Sequence, residues 1–257
     1  MQVRAKKRLG QHFLTDRNLA LRIVNLLEAD GKGQIIEIGP GTGVLSGYLM
    51  DRFGSRFHLI EVDLESVEYL KENLPDLAPR IYAVDFLKFD LSENFKDDLF
   101  IIGNFPYNIS SQILFRVLLY RNQVKEVVGM FQREVARRIT SGPGSKEYGI
   151  LSVLLGAFYE MSYHFTVSEN VFSPPPKVKS AVIRLERNTL EKLPCDEELF
   201  FRVVKMSFNQ RRKTLRNSLS SIIMPENRQT ELLSYRPEQL SVEGFFELTS
   251  FIESQRG

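Results

Sequence analysis

The sequence predicts an α/β fold, a parallel sheet with helices on both faces, followed by a small helical domain. Three observations carry that expectation. Short apolar runs alternate with helix-period segments between residues 34 and 140, the pattern of consecutive β-α units. A glycine-rich turn, Gly39-Pro-Gly-Thr-Gly43, follows the first of those runs and opens a helical segment, the setting of a nucleotide-binding loop. Past about residue 188 the strand signal stops and only helical periodicity remains. The expected organisation is a first domain over 1–187, beginning with a basic arm over 1–15, and a second over 188–257.

The arm runs into Leu9-Gly-Gln-His-Phe-Leu-Thr15, and Asp16 is placed to cap a helix. Leu19, Ile23, Leu26 and Leu27 keep a helical period through about Ala29, and Asp30-Gly-Lys-Gly33 ends it. Residues 34–38 form a short apolar strand, 44–52 a helix, 57–62 a second strand and 64–73 a helix. A third strand spans 80–84 and stops at Asp85. The fourth, Leu99-Phe-Ile-Ile102, breaks at Gly103. A helix over 110–120, a strand over 124–131 and a helix over 134–140 complete the alternation. After a Gly/Ser loop at 141–145 come an apolar helix at 150–159 and two alternating strands at 161–167 and 178–185. These two are joined through Phe172-Ser-Pro-Pro-Pro176 and can close the sheet as an antiparallel pair. In the second domain 199–206, 213–223 and 242–252 are helical. No internal repeat or low-complexity segment is visible.

With 257 residues, 43% hydrophobic and 26% charged, the composition is that of a globular chain large enough for one sizeable domain and an accessory one. Net charge is only +2, but its distribution is uneven. Arg4, Lys6, Lys7 and Arg8 sit in the first fifteen residues, and Arg202, Lys205, Arg211, Arg212, Lys213 and Arg216 in 199–225, with no acid in either stretch. Basic charge gathered in two places on an otherwise acidic chain is the footprint of a polyanion partner, although such runs are also often simply solvated faces. One cysteine, Cys195, excludes an internal disulfide and a cysteine metal cluster, and fits a reducing cytoplasm. No signal peptide and no apolar stretch of membrane-spanning length are present.

The glycine turn fits neither register of the dinucleotide fingerprint, because Val44 or Ser46 stands where the third glycine or alanine belongs. No Gly-Lys-Ser/Thr follows, which excludes a phosphate-cradling P-loop. What remains is acidic-x-Gly-x-Gly-x-Gly with Glu37 leading, the loop of S-adenosylmethionine-dependent methyltransferases. Glu61, ending the second strand, can accept both ribose hydroxyls; Asp85, ending the third, can reach the adenine amine. Either carboxylate alone would read as a surface acid. Three consecutive strand ends bearing a glycine loop, Glu and Asp are a more demanding coincidence.

The fourth strand delivers Asn104-Phe-Pro-Tyr107 at its C-terminal end, where open α/β sheets bind ligands. Asn104 offers an acceptor, Pro106 fixes its own φ and removes a donor, and Tyr107 supplies a flat face. Together they suit a planar base bearing an exocyclic amine. Acceptors at Asn104 Oδ1 and the Phe105 carbonyl would take both amine hydrogens and turn the lone pair toward a methyl donor, so positioning replaces a strong base. Taken alone, the same four residues suit an ordinary strand-to-helix turn with an Asn cap. The histidines are scattered: His12 lies in the arm motif, while His58 and His164 read as structural.

At this point the chain resembles the KsgA/RsmA-type ribosomal RNA small-subunit adenine N6,N6-dimethyltransferases. Lys7-Arg-Leu-Gly-Gln-His-Phe-Leu14, Ile36-Glu-Ile-Gly-Pro-Gly-Thr-Gly43 and Ile60-Glu-Val-Asp63 match in order and spacing. So do Gly103-Asn-Phe-Pro-Tyr-Asn-Ile-Ser110, Val171-Phe-Ser-Pro-Pro-Pro-Lys-Val178 and Phe208-Asn-Gln-Arg-Arg-Lys-Thr-Leu-Arg-Asn217. Phe105 departs from the family's usual Leu, and Lys179 stands where an Asp is expected. The resemblance implies a class I, Rossmann-like S-adenosylmethionine-dependent methyltransferase with a small C-terminal all-helical domain. It would convert S-adenosylmethionine to S-adenosylhomocysteine and dimethylate N6 of two adjacent adenines near the 3′ end of 16S rRNA during small-subunit maturation.

By the same resemblance Gln11, His12 and Leu14 line the methionine end of the cofactor above Gly39 and Gly41. Glu61 holds the ribose, Asp85 with Phe86 the adenine, and Asn104 borders both cofactor and target. Asn104, Phe105, Pro106 and Tyr107 form the catalytic turn, and Tyr107 and Phe172 sandwich the flipped base. Arg4, Lys6, Lys7, Arg8, Arg211, Arg212, Lys213 and Arg216 are the expected RNA contacts, with Arg212 and Arg216 one helical turn apart. No metal is implied. The expected agent is a cytoplasmic monomer acting on an immature small subunit, with no membrane partner. Two alternatives share the fold: a large-subunit rRNA adenine dimethyltransferase, and a non-catalytic ribosome-assembly factor. The Leu-Gly-Gln-His-Phe-Leu form and the basic second domain favour the small-subunit enzyme over the first. The intact Asn-Phe-Pro-Tyr turn and glycine loop disfavour the second.

Overall fold

A computed structural model describes residues 3–29, 31–223 and 229–255; the helix end expected at Asp30 lies outside them. In chain order the first unit contains β1 (Phe13–Leu14), α1 (Arg17–Val24), β2 (Gln34–Ile38), α2 (Ser46–Phe53), β3 (Phe57–Ile60), α3 (Leu64–Asn73), β4 (Ile81–Tyr82), α4 (Leu91–Asn94), β5 (Leu99–Asn104), α5 (Ser110–Leu119) and β6 (Val124–Gln132). Then follow α6 (Arg133–Thr140), α7 (Ile150–Gly156), β7 (Tyr159–Val167), β8 (Phe172–Ser173), β9 (Ser180–Arg187), α8 (Glu197–Asn209), α9 (Leu215–Ser218) and α10 (Val242–Glu253).

Seven strands form one sheet in the order β4-β3-β2-β5-β6-β9-β7. The β3–β2, β2–β5 and β5–β6 pairs are parallel, and β6–β9 is antiparallel. The central strands are apolar throughout because both faces are covered: Ile35, Ile36, Leu99, Ile101, Ile102, Val127 and Val128 are all buried. The last two strands do not simply extend the sheet in chain order; β9 inserts between β6 and β7.

Gly103 does not break β5 as expected. The strand runs on to Asn104, with Gly103 opposite Gly129 and Asn104 opposite Met130. The reason is Phe105. A Cβ at Gly129 would sit 2.5 Å from the Phe105 and Phe131 rings, and one at Gly103 would sit 2.8 Å from Phe105 and 2.6 Å from the Ile38 carbonyl. This glycine pair leaves a slot in which Phe105 is fully buried, edge-on to Phe131 at 5.1 Å. Burying such a ring contributes about 1.5–3 kcal/mol, and it anchors the turn that carries Asn104.

Asp16 caps α1 by accepting from Leu19 N–H at 2.9 Å, but the helix stops at Val24 rather than near Ala29. The Val24 carbonyl is taken by Leu27 N–H and the Arg52 guanidinium, and Glu28 N–H donates to the Glu126 carboxylate of β6 instead. A tertiary acceptor outcompetes the next helical turn.

The chain divides into two compact units, residues 1–136 with 161–187 and residues 137–160 with 188–257. Residues 137–160 therefore group with the C-terminal segment, not with the first domain expected over 1–187. Aromatic packing explains it: within this unit Tyr148 meets Phe208, Phe158 meets Phe201, and Phe208 meets Phe245. The helix expected over 213–223 reduces to α9. Thr214 is extended (φ −68°, ψ 157°) and Leu215 N–H donates to the Tyr235 carbonyl at 2.8 Å, so residues 211–213 form a turn.

Candidate active site

A cavity opens at the C-terminal ends of β2, β3 and β5. It is lined by residues 9–13, Gly39, Gly41, Glu61, Val62, Asp85, Leu87 and residues 104–109. The structure thus brings Gln11, His12, Gly39, Gly41, Glu61, Asp85, Asn104, Phe105, Pro106 and Tyr107 together. It does not bring Leu14, Phe86 or Phe172 to the cavity wall. Leu14 pairs with Phe172 across the two-residue β1–β8 ladder, and both side chains join the hydrophobic core. Phe86 is likewise buried. Sequence reasoning missed Leu9, Gly10, Phe13, Val62, Leu87, Asn108 and Ile109 as lining residues.

The glycine turn and the arm are fitted to each other. Gly41 has φ +57°, and a Cβ there would lie 2.7 Å from the Phe13 ring. Its N–H donates to Glu61 Oε2 at 3.2 Å, while Asp63 N–H donates to Glu61 Oε1 at 2.9 Å. Glu61 is only 4% exposed. Burial raises its pKa against these backbone donors. Both carboxylate oxygens are fixed, and each keeps a lone pair for a ligand hydroxyl. Glu37, the acid that leads the glycine motif, lies off the cavity wall. Burial pushes its pKa up to about 8, opposed by Ser46 Oγ–H at 2.6 Å and reinforced by the Glu61 charge. It secures the start of α2, not a ligand.

Asn104 has a determined orientation. Its Nδ2 is 2.8 Å from the His12 carbonyl; a carbonyl can only accept, so the amide nitrogen faces it and Oδ1 is the end able to accept from a ligand. The same logic fixes His12, whose Nδ1 is 2.8 Å from the Pro174 carbonyl and must carry the proton. The His12 ring stacks on Tyr107 with centroids 5.3 Å apart. His58 is remote from this chemistry: burial, with Arg80 nearby, lowers its pKa to about 4, and it packs against Tyr82 and Phe95.

The arm is clamped beside the second strand end. Lys6 Nζ pairs with Asp63 and, at 3.1 Å, with Glu65. Lys6 N–H donates to Gln11 Oε1 at 2.8 Å, and Gln11 Nε2 donates to Asp63 Oδ2 at 3.2 Å. Burial works against ionisation of Asp63, but Lys6 and Gln11 hold its pKa below the usual value. Lys6, expected on an RNA-facing surface, is thus occupied internally, whereas Arg4, Lys7 and Arg8 are exposed. In the second unit Arg211 donates to the Ser145 carbonyl at 3.0 Å and lies near Glu238. Arg212, Lys213 and Arg216 are exposed, but Arg212 lies in the turn before α9, so it does not share a helix with Arg216.

Residues 2–251 match the family profile described as "Ribosomal RNA adenine dimethylase". The chain belongs to the ribosomal RNA adenine dimethylase family. Its relatives include proteins named "Ribosomal RNA small subunit methyltransferase A" from Parabacteroides distasonis, 53% identical over 99% of this chain and 98% of the relative. The protein of the same name from Flavobacterium johnsoniae is 54% identical over 98% and 97%. Among solved structures, a dimethyladenosine transferase from Plasmodium falciparum shares the fold at TM-score 0.80, with 23% identity over 95% of this chain and 98% of that one. The 23S rRNA methyltransferase ErmE superposes at TM-score 0.71, 26% identical over 92% and 99%.

An rRNA adenine dimethylase uses S-adenosylmethionine, and the cavity fits that cofactor. Its wall offers bare glycine backbone at 39 and 41 and the carboxylates of Glu61 and Asp85, with no Lys or Arg among its lining residues. That charge balance suits a sulfonium cation and would repel a pyrophosphate. Among the described residues, no helix is long and apolar enough to cross a membrane, and no cluster of His, Cys, Asp or Glu is placed to hold a metal.

Proposed function

We propose that this dimethylase acts on N6 of two adjacent adenines in a loop near the 3′ end of 16S rRNA, as a cytoplasmic monomer on an immature small subunit. The observation that carries the chemistry is the fixed amide of Asn104, whose nitrogen is spent on the His12 carbonyl. The choice of small over large subunit is supported by relatives of that name at 53% and 54% identity over nearly the whole chain.

S-adenosylmethionine supplies an electrophilic methyl group on a sulfonium. The chain's own task is to make adenine N6 nucleophilic, because its lone pair is delocalised into the ring. Asn104 Oδ1 and the Phe105 carbonyl accept the two N6 hydrogens and hold the nitrogen with its lone pair aimed at the methyl. The bound cofactor would supply the methyl and keep the sulfur as its thioether, while Asn104 Oδ1 and the Phe105 carbonyl would hold the N6 protons until one is released to water. Glu61 and Asp85 would hold the ribose and adenine of the cofactor, and Gln11, His12, Gly39 and Gly41 would enclose its methionine end. Tyr107 gives the flipped target base a stacking face, on the order of 1–3 kcal/mol. Phe172, expected to share that duty, is occupied in the core, so Tyr107, backed on one side by the stacked His12 ring, forms the platform. Arg4, Lys7, Arg8, Arg212, Lys213 and Arg216 contact RNA phosphates, positioning the substrate without reading bases.

The reading is tested by incubating immature small subunits from a strain lacking this enzyme with the protein and labelled cofactor, then mapping label by mass spectrometry. Two adjacent N6,N6-dimethyladenines in the 3′-terminal loop are expected. Label confined to large-subunit RNA, or none in either RNA, would replace it with the corresponding alternative.

A further inference from the structure

We infer that Ser180 is a positioning residue of the methylation site, holding the Tyr107 ring in place through its hydroxyl. This rests on the reading of Tyr107 as the platform for the target adenine.

Ser180 is fully buried, yet it opens a strand whose next residues are Ala181, Val182 and Ile183, all core side chains. A hydroxyl at such a position needs a partner. Its Oγ lies 2.5 Å from the Tyr107 hydroxyl, 73 residues away in the chain. Ser180 itself is fixed: it pairs with Gln132 in the β6–β9 ladder, and the carbonyl of the preceding Lys179 accepts from Arg133 N–H at 2.9 Å. The hydroxyl therefore projects from the first residue of β9, at the end of the β6–β9 ladder, toward a side chain in an irregular turn.

Tyr107 is held at two other points. Ser110 Oγ donates to its carbonyl at 3.2 Å. The His12 ring covers it at 5.3 Å with planes 29° apart, and His12 is itself tied to the Pro174 carbonyl. Burial raises the Tyr107 hydroxyl pKa, against the Ser180 hydrogen bond, so the group keeps its proton. Backbone, face and hydroxyl together leave the ring little freedom about χ1 and χ2. Without Ser180 the far end of the ring is released, and the base entering against it must order it. A displacement of about 1 Å at a reacting geometry can cost on the order of a hundredfold in rate. Preorganised aromatic surface avoids that ordering step. Ser180 lies just past the Pro-rich motif, inside the strand expected over 178–185, and no motif singles it out.

The test measures kcat and KM for immature small subunits, together with cofactor affinity and Tm, in Ser180→Ala, Tyr107→Phe, the double variant and Tyr107→Ala. Ser180→Ala and Tyr107→Phe remove one hydrogen bond from opposite sides. Each is expected to lower kcat/KM for RNA by about tenfold, with cofactor affinity unchanged. The double variant is expected to lose no more than either single, because both delete the same interaction. Tyr107→Ala, which removes the platform, is expected to lose more than any of these. Wild-type kinetics in Ser180→Ala, losses that multiply in the double variant, or a fall in cofactor affinity parallel to the fall in rate would each overturn the inference. Near-wild-type activity in Tyr107→Ala would overturn the platform reading first, and this inference with it.

Discussion

The cavity has two walls built in different ways. One consists of strand ends: Gly39 and Gly41 after β2, Glu61 after β3 and Asn104 at the end of β5. Each of these residues follows or ends a strand placed by a ladder of backbone hydrogen bonds that its neighbours in sequence help to form. The other wall is the arm over residues 9–13, which carries only a two-residue strand. It is placed by contacts distant in sequence: Lys6 and Gln11 on Asp63, Phe13 against Gly41, and β1 on β8. The first wall is rigid because the sheet is; the second is as stable as a few ion pairs and one short ladder. Yet the second fixes the first, since the His12 carbonyl orients Asn104.

That contrast gives ordered predictions. The largest effect belongs to the strand-end wall. Glu61→Ala removes a buried, doubly bonded carboxylate and is expected to weaken S-adenosylmethionine binding by about 1.5–3 kcal/mol, measured by calorimetry. Unchanged affinity in a folded variant would take Glu61 out of the cofactor site. A smaller effect belongs to the arm. Asp63→Asn loosens the clamp on Lys6 and should reduce cofactor affinity about three- to fivefold. Because the Lys6 pair is partly exposed, added salt should weaken cofactor binding more in the wild type than in Asp63→Asn. Equal salt dependence in the two would mean that the clamp does not govern the arm.

A further effect concerns stability rather than binding. Folded Glu37 keeps its proton up to about pH 8, whereas an ordinary carboxyl releases it near 4.5. The folded state therefore binds more protons than the unfolded state between those values, and stability falls as pH rises through that window. Glu37→Gln keeps the acceptor for Ser46 and removes the titration. The drop in Tm between pH 5 and pH 8 is expected to be shallower in the variant. Parallel Tm profiles would show that Glu37 titrates elsewhere.

The same division marks what was legible in the sequence. β2 and α3 fall on the expected residues, 34–38 and 64–73, because continuous apolar runs and a capping Asp63 are local signals. The glycine loop, Glu61, Asp85 and Asn104, read from the sequence as neighbours at the strand ends, line one cavity. The failures are tertiary. α1 stops early because Glu126 captures the Glu28 N–H. Leu14 and Phe172 carry motif signatures, but they meet each other across 158 residues and turn into the core. The segment over 213–223 has helical periodicity, yet an extended Thr214 and the Tyr235 carbonyl redirect it. Residues 137–160 join the C-terminal unit through aromatic pairs that no local pattern announces. Clustered charge marked the arm as basic, but only the fold shows that Lys6 is spent on Asp63 while Arg4, Lys7 and Arg8 face outward.

In the proposed mechanism Asn104 Oδ1 orients the target amine. The most direct measurement is primer extension across the 3′-terminal loop of small-subunit rRNA in cells lacking the enzyme, complemented with wild type or Asn104→Ala at equal protein levels. Removing one preorganised polar group at a reacting centre typically lowers kcat by about 10²–10³-fold. Wild type should restore the stop at dimethylated adenines and Asn104→Ala should not, although the purified variant still binds S-adenosylmethionine. A full stop with Asn104→Ala would show that the Asn104 amide does not orient the target amine.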